Sequence, residues 1–316
     1  MIPKVSVVIP CYNQAGYLGG CLASVVRQTV AEWEAIVVDD KSTEPDLAGI
    51  VAGFQDPRIR LLVHERNRGL AAARNSGIRS SRAEWFVPLD ADDELEPDYL
   101  ETLLREAEAH PDCEAVFTDF LWFGAFRGVM KYRVQQLGEL LARRKMPGPG
   151  VLTRRRVWER VGGYCEEEVL RISCEDHEFW VSALEGGLKA HHVARPLYRY
   201  RKHPQSVTAR GHPDYYRARE FIYRRHQELY DSHGATGRYL ADGYWKSAYY
   251  REAAGDGAGA ARLAVRATLT GQQPEDFERL RRFVESAAQS CGGLQTEVEK
   301  LPRSRKLCPQ HAWLSV

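Results

Sequence analysis

The chain has 316 residues, of which 44% are hydrophobic and 28% are charged, enough for a large core and for one or two globular domains. Its 44 Lys and Arg residues nearly balance its 43 Asp and Glu residues, which argues against nucleic acid as a partner. The seven cysteines include no C-x-x-C pair and no apolar run approaches the ~18 residues of a membrane span, so we expect a cytoplasmic protein without a transmembrane segment.

The N-terminal third of the chain begins with a strand-helix-strand pattern. Residues 5–9 and 34–38 are β-branched runs, which are typical of buried parallel strands. The segment between them has apolar residues at helical spacing: Leu18, Leu22, Val25 and Val26. This pattern predicts a helix that crosses from one strand to the next.

The alternation continues to about residue 107. Thr43 and Asp46 have the spacing of a capping box, and the apolar residues after them share one helical face: Leu47, Ile50, Val51 and Phe54. Residues 58–63 and 85–89 predict two further strands, separated by an Ala-rich helix over residues 70–78. Pro97 marks the start of another helix, whose apolar residues are Leu100, Leu103, Leu104 and Ala107. Strands that alternate with helices predict a doubly wound α/β fold with a mostly parallel sheet.

The pattern changes in the rest of the chain. Residues 120–156 are an aromatic and basic stretch, within which residues 146–150 (MPGPG) have the composition of a flexible loop. From residue 214 the sequence is mostly charged helix, with breaks at Gly211, Gly234, residues 255–259 and Pro274. We therefore predict a small helical appendage over residues 211–316.

Polar residues follow three of the predicted strands, at the edge where open parallel sheets bind ligands. They are residues 10–13 (PCYN), 39–40 (DD) and 90–93 (DADD). Carboxylates packed this closely repel one another, and a divalent cation bound between them would remove the repulsion. The alternative is that each acidic pair forms a solvated turn or a helix cap. Convergence of three such segments at one sheet edge favours a metal and diphosphate site.

Five motifs resemble those of the family 2 glycosyltransferases with the GT-A fold. In chain order they are VSVVIPCYNQAGYLGGCLASVVRQT, AIVVDDKST, NRGLAAARNSGI, FVPLDADDELEPDYL and CEDHEFW, and the resemblance spans residues 3–207. It implies an inverting transferase that uses a nucleotide sugar. Residues 1–118 would then bind the donor, residues 119–210 would bind the acceptor and supply the catalytic base, and residues 211–316 would form the helical region.

The resemblance also implies which residues bind the nucleotide sugar: Pro10, Tyr12, Asn13, Asp39, Asp40, Arg74, Asp90 and Ala91. Asp40 would accept a hydrogen bond from the nucleobase, and Asp39 would hold the turn. Arg74 would lie near the donor phosphates, the alternative being a solvated cation on a helix surface. A carboxylate contact to a ring N–H favours UDP- or dTDP-sugars, although GDP-sugars occur in the family.

Asp92 and His203 are the implied metal ligands, for Mn²⁺ or Mg²⁺. Asp176 would be the general base and Glu175 would orient the acceptor or raise the pKa of the base. The alternative for Asp176 is structural, because Ser173 and Asp176 have the spacing of a capping box. We expect Trp180, four residues further on, to be a core residue.

Two other functions compete with sugar transfer. An aspartyl phosphohydrolase would place Thr or Val where this chain has Glu94, and a nucleotidyltransferase would have a basic loop after its first strand. A non-catalytic nucleotide-sugar-binding protein of the same fold remains an alternative.

The acceptor and the partners are less defined. The acceptor would be a carbohydrate, a lipid-linked glycan or a peptide. Five residues near helical spacing predict either packing of this region on the catalytic domain or a homodimer contact: Tyr244, Trp245, Ala248, Tyr249 and Ala253. Basic residues at 217–225 predict peripheral contact with an anionic membrane.

Overall fold

The computed structural model describes residues 2–43, 46–132, 137–143, 148–172, 174–206, 211–271 and 280. Its described residues up to 206, other than 141–143, form one compact unit, and residues 141–143 with those from 211 onward form a second. The predicted start of the helical appendage at residue 211 coincides with this division. The predicted boundary between the donor-binding and acceptor-binding parts, at residue 118, lies inside a strand that spans residues 115–124. Both parts of the first unit therefore share one sheet. Among the described residues, no helix has both the length and the apolar character of a membrane span.

The first unit is built on a mixed sheet. Its strands are β1 (Val5–Cys11), β2 (Trp33–Asp39), β3 (Ile59–Val63), β4 (Trp85–Pro88), β5 (Glu94–Leu95), β6 (Ala115–Gly124), β7 (Gly128–Met130), β8 (Val151–Arg154) and β9 (Ala190–Lys202). Their order across the sheet is β3-β2-β1-β4-β8-β6-β9-β5, and β7 pairs with β6. The first four strands pair in parallel, and β8 joins them to the rest of the sheet by antiparallel pairing with β4 and β6. The predicted α/β fold is confirmed.

The helices before residue 211 are α1 (Ala15–Val26), α2 (Leu47–Gly53), α3 (Leu70–Ser80), α4 (Tyr99–Ala109), α5 (Leu137–Arg143), α6 (Arg155–Val161) and α7 (Glu175–Glu185), with a 3₁₀ turn at Glu168–Leu170. The side chain of Asp46 caps α2 by accepting a hydrogen bond from the Gly49 N–H, so the predicted start at Thr43 is wrong. Val26 is 38% exposed, unlike the other three residues of its predicted face.

Helices cover both faces of the sheet. Val7 and Ile9 of β1 point into a core that includes Leu22 of α1 and Leu100 of α4, among others. Val8, which lies between them in sequence, points into a second core with Phe179 of α7. Because neighbouring residues of a strand face opposite sides, this alternation explains why β1 is apolar throughout and why the sheet has helices on both faces.

The stretch at 120–156 contains more regular structure than its composition predicts. Strand β6 extends to Gly124, β7 returns alongside it as a short hairpin, and β8 follows at Val151. Part of the predicted loop at residues 146–150 lies outside the described residues. The aromatic side chains of β6 are therefore arranged on a sheet, where Phe120 packs in the core.

The described part of the second unit is helical. Its helices are α8 (Tyr215–Arg225), α9 (Gln227–Ser232), α10 (Thr236–Ala253) and α11 (Gly257–Gly271). Tyr244, Trp245 and Ala248 of α10 pack against Leu263 and Ala267 of α11. Three residues of the predicted pattern therefore pack within this unit, whereas Tyr249 is 63% exposed. The predicted homodimer contact stays a prediction, and the predicted break at Pro274 lies outside the described residues.

Candidate active site

The structure brings the three polar strand ends together. Strand β1 lies between β2 and β4, and in the parallel register Cys11 is opposite Asp39 while Val8 is opposite Pro88. The segments that follow these strands therefore leave the sheet at the same edge. The predicted convergence of residues 10–13, 39–40 and 90–93 is a feature of the fold.

Asn13 ties the first of these segments to the second. Its backbone has φ of 53°, in the left-handed region, and its side-chain oxygen accepts hydrogen bonds from the backbone N–H and the hydroxyl of Thr43, at 2.8 and 3.1 Å. Its own N–H donates to the Ser42 hydroxyl. Tyr12, the residue before Asn13, is 46% exposed, whereas Pro10 is buried within β1. Of the two predicted pocket residues, Tyr12 is the one whose side chain is accessible.

The carboxylate of Asp40 is held in place by three hydrogen bonds. Oδ1 accepts from Nδ1 of His64 at 2.7 Å and from the Arg68 N–H at 2.8 Å, and Oδ2 accepts from the Gly69 N–H at 2.7 Å. Nε2 of His64 lies 2.9 Å from the hydroxyl of Ser76, which extends the network into α3. A carboxylate offers about four lone-pair positions, these bonds occupy three of them, and the residue is 3% exposed.

Asp39 has a different task from Asp40. Its Oδ1 accepts a hydrogen bond from the Ser42 N–H at 2.7 Å and so closes the turn after β2. The sequence pattern indicated such a role for Asp39 but gave no signal for His64 or Ser76, because an isolated His or Ser carries no spacing information.

Arg74 of α3 joins the acidic segment after β4 to the start of α7. One terminal nitrogen, Nη2, donates to Oδ1 of Asp90 at 2.8 Å, and the other, Nη1, donates to Oε1 of Glu175 at 2.6 Å. The Arg74 side chain is 3% exposed, so the alternative of a solvated helix cation is wrong. Both terminal nitrogens already bind carboxylates, so the positive charge of Arg74 is largely neutralised and would attract a diphosphate only weakly.

The ionisation of this bridge reflects its burial. Burial alone lowers the pKa of the Arg74 guanidinium, but the carboxylates of Asp90 and Glu175 more than offset it and hold that pKa well above its usual value. For Glu175, burial raises the pKa, Arg74 lowers it, and the charge of Asp176 raises it again. The net pKa of Glu175 is raised. The bridge is therefore a compensated charge cluster of which Asp176 is a close neighbour.

Asp92 and His203 meet at the end of β9. Oδ2 of Asp92 lies 2.8 Å from Nε2 of His203, and the ring of Tyr17 lies 5.0 Å from the His203 ring. Adjacent ligands of an octahedral metal at 2.0–2.2 Å are about 3 Å apart, so one carboxylate oxygen and one ring nitrogen are already spaced to share a cation. The side chains of Asp92 and His203 are 13% and 10% exposed, which leaves them partly accessible.

Asp93 fixes the end of β9 so that His203, which follows the strand, lies beside Asp92. Its carboxylate is buried and accepts hydrogen bonds from the Tyr198 hydroxyl and from the Arg201 N–H, both at 2.7 Å. The Arg201 side chain also donates to the Asp92 carbonyl at 2.7 Å. Asp93 therefore anchors β9 to the acidic segment, and Asp92 is the carboxylate that faces His203.

Asp176 lies in the first turn of α7, directly after Glu175. The N-cap residue of α7 is Cys174, with φ of 106°, while Ser173 of the predicted capping box lies outside the described residues. Oδ1 of Asp176 accepts from the His177 N–H at 2.6 Å, and a Cβ at Gly148 would lie 3.4 Å from Oδ2. Trp180, on the next turn, is buried in the core as predicted.

A turn at Gly162–Tyr164 fixes the approach to α7. Gly163 has φ of 88°, and a Cβ there would lie 2.8 Å from Oδ1 of Asn75. That oxygen accepts from the Tyr164 N–H and from the Trp158 indole, and the Asn75 amide donates to the Tyr164 carbonyl. Asn75 is adjacent to Arg74 and was missed in the sequence, although it lies within a recognised motif. Asn75 ties α3 to this turn, whereas Arg74 ties α3 to Asp90 and Glu175.

The comparisons with known proteins agree on one class. Residues 6–140 match the model of the family described as glycosyl transferase family 2. Among curated relatives, the uncharacterized glycosyltransferase EpsJ of Bacillus subtilis is 30% identical over 230 residues, which cover 66% of this chain and 64% of that protein. The uncharacterized protein y4gI of Sinorhizobium fredii is 31% identical over 66% of this chain, but the match covers only 23% of its own length. The chain thus spans less than two thirds of these relatives.

Solved structures share the fold at lower identity. TarS 1-349 of S. aureus in complex with UDP-GlcNAc has a TM-score of 0.65 and 18% identity, with 91% of this chain and 92% of that chain covered. The mannosyltransferase PcManGT of Pyrobaculum calidifontis in complex with GDP-Man and Mn²⁺ has a TM-score of 0.57 and 19% identity, with coverage of 95% and 84%.

Proposed function

The chain belongs to glycosyltransferase family 2, and from this premise we propose that it transfers a sugar from a nucleoside diphosphate sugar to an acceptor hydroxyl, with inversion at the anomeric carbon. The observation that carries the proposal is the continuous set of contacts from Asp90 through Arg74 to Glu175, next to Asp176. These contacts support Asp176 as the base, because they link its neighbour Glu175 to the acidic segment that follows β4.

The donor end of the site is suited to a nucleoside diphosphate. The remaining lone pair on Asp40 would accept a ring N–H of uracil or thymine, and the exposed Tyr12 ring offers an apolar face to the base. Similar folds were solved with UDP-GlcNAc and with GDP-Man. We therefore propose a UDP- or dTDP-sugar as the donor, with a GDP-sugar as the alternative.

Asp92 and His203 would hold a divalent cation, Mn²⁺ or Mg²⁺. The bound cation would supply positive charge to the diphosphate as it leaves. Asp90 would act beside this pair, with its orientation fixed by Arg74.

Asp176 would accept the proton of the acceptor hydroxyl. As that oxygen attacks the anomeric carbon, the bond from the carbon to the diphosphate breaks and its electron pair leaves with the diphosphate. The proton moves to the Asp176 carboxylate. Glu175, whose carboxylate is fixed by Arg74, would orient the acceptor beside this base.

The acceptor is proposed only as a class. Relatives include a succinoglycan biosynthesis protein of Rhizobium meliloti, 39% identical over 108 residues, and this favours a polysaccharide or glycoconjugate acceptor over a peptide. A cytoplasmic location with peripheral membrane contact stays a prediction. Arg219, in the basic segment predicted to touch a membrane, is fully buried and hydrogen-bonded to the Tyr239 carbonyl, so it would not contribute.

Nucleotide release from a panel of UDP-, dTDP- and GDP-sugars, measured with Mn²⁺, with Mg²⁺ and with EDTA, tests this proposal. We expect release from one donor class, dependent on the metal and accelerated by a glycan acceptor. Donor binding without release under every condition would instead support a non-catalytic binding protein. Metal-independent release of inorganic phosphate would support a phosphohydrolase.

A further inference from the structure

We propose that Glu106, His110 and His191 form a second metal site, for a divalent transition metal of the zinc class. Glu106 and His110 are one helical turn apart at the end of α4, and His191 is the second residue of β9. One carboxylate oxygen and one nitrogen from each ring all lie within 4.8 Å of one another. The two elements that carry these residues lie side by side, although His110 and His191 are more than 80 positions apart in the sequence.

The distances fit tetrahedral coordination after a small adjustment. Oε2 of Glu106 lies 3.5 Å from Nε2 of His191 and 4.0 Å from Nδ1 of His110. Ligands at 2.0–2.1 Å from a tetrahedral zinc ion are about 3.4 Å apart. The first pair already has this spacing, and rotation of the partly exposed His110 ring would bring the third ligand in. Oε1 of Glu106 is 3.3 Å from Arg105, so Oε2 is the oxygen that faces the histidines.

The two imidazoles are arranged as a pair. Their ring centroids lie 3.8 Å apart with an interplanar angle of 21°, and rotation of the His110 ring would let the lone pairs, which lie in the ring planes, point at one cation. Nδ1 of His110 is also 3.0 Å from the Glu106 carbonyl oxygen. Ligation by Nδ1, which lies 4.0 Å from Oε2 of Glu106, would replace this contact and leave the proton on Nε2.

The chemistry of this ligand set differs from that of the proposed transfer centre. Two imidazoles and one carboxylate suit Zn²⁺, whereas carboxylate and phosphate oxygens suit Mn²⁺ and Mg²⁺. The two sites are also far apart. His191 and His203 are twelve residues apart along β9, up to about 40 Å at 3.3 Å per residue. The second site would join the last turn of α4 to the first residues of β9, the strand whose other end presents His203.

The full chain provides the test, by calorimetric titration with Zn²⁺ and by the visible absorption of bound Co²⁺. We expect Asp92→Asn to bind one Zn²⁺ ion, as the wild type does. Three other single variants should each lower the Zn²⁺ affinity by about tenfold or more: His110→Ala, His191→Ala and Glu106→Gln. Zn²⁺ should raise the Tm of the wild type but not that of the His110→Ala/His191→Ala double variant.

His233 supplies a matched control. It is an exposed histidine whose Nδ1 lies 3.0 Å from the carbonyl oxygen four residues earlier, as in His110, but it belongs to the other unit. His233→Ala should bind Zn²⁺ like the wild type. Unchanged Zn²⁺ affinity in His191→Ala and Glu106→Gln would overturn the proposal, as would loss of the ion in Asp92→Asn alone.

Discussion

Asp40 and Asp92 both follow strands of the same sheet, yet their carboxylates have different surroundings. Asp40 is 3% exposed and accepts three hydrogen bonds, two of them from backbone N–H groups. The Asp92 side chain is 13% exposed, and the partner of its Oδ2 is the side chain of His203. The proposed nucleoside end of the site is thus part of the folded framework, while the proposed metal end has a partly accessible carboxylate. Stability and catalysis should therefore respond differently to substitutions at the two ends.

The largest expected effect on catalysis is at Asp176, on the transfer side. Asp176→Asn should reduce the transfer rate by ~10² to 10⁴-fold, the usual contribution of a positioned base. Affinity for the nucleotide should stay within about twofold of the wild type, since the donor contacts are elsewhere. Single-turnover kinetics measure the transfer rate, and calorimetry with UDP measures the nucleotide affinity. Turnover near that of the wild type would show that Asp176 is not the base.

Arg74, which connects the two sides, should have the largest effect on stability. Arg74→Met leaves the buried Glu175 carboxylate without its cation, which typically costs about 3–5 kcal/mol in the free energy of unfolding. Adding Glu175→Gln removes the uncompensated charge and should restore part of that loss. Urea unfolding of the two single variants and the double variant measures the coupling. Strictly additive effects would mean that the bridge contributes little.

Asp40→Asn tests the framework end. The amide nitrogen cannot accept hydrogen bonds, so at least one of the donors from His64, Arg68 and Gly69 would be left unpaired, at a cost of about 1–3 kcal/mol. Both the free energy of unfolding and the nucleotide affinity should fall. A variant as stable as the wild type but unable to bind nucleotide would show that Asp40 acts on the ligand alone.

Asp92→Asn is the matched substitution at the metal end. It should weaken the apparent affinity for Mn²⁺ by about 10- to 100-fold in activity titrations, because a neutral amide is a poorer ligand than a carboxylate. The free energy of unfolding should change by less than about 0.5 kcal/mol, as expected for a partly exposed group. If Asp92→Asn destabilised the protein as much as Asp40→Asn, the contrast between the two ends would fail.

The sequence predicted the strand ends better than the contacts between them. β1, β2 and β4 were recognisable because β-branched runs stop at polar residues, and the parallel order then brings Asp39 and Asp90 to one edge. The bridge from Arg74 to Glu175 joins residues 101 positions apart, and no local pattern contains that information.

Two local features were missed for different reasons. The α2 cap was misplaced because Thr43 and Asp46 both suit a helix start, and only the backbone at Asp46 decides between them. β6 to β8 were missed because short strands that pair over long distances have little periodicity of their own. The roles of the site residues rest on chemistry that the geometry supports, and they stay predictions until measured.

The most direct test of the proposed single displacement is the anomeric configuration of the first product. Proton NMR of the sugar transferred to an acceptor, or released to water in slow hydrolysis, shows whether the anomeric carbon has inverted. One displacement with Asp176 as base predicts that an α-linked donor gives a β product. A product with the configuration of the donor would contradict this mechanism.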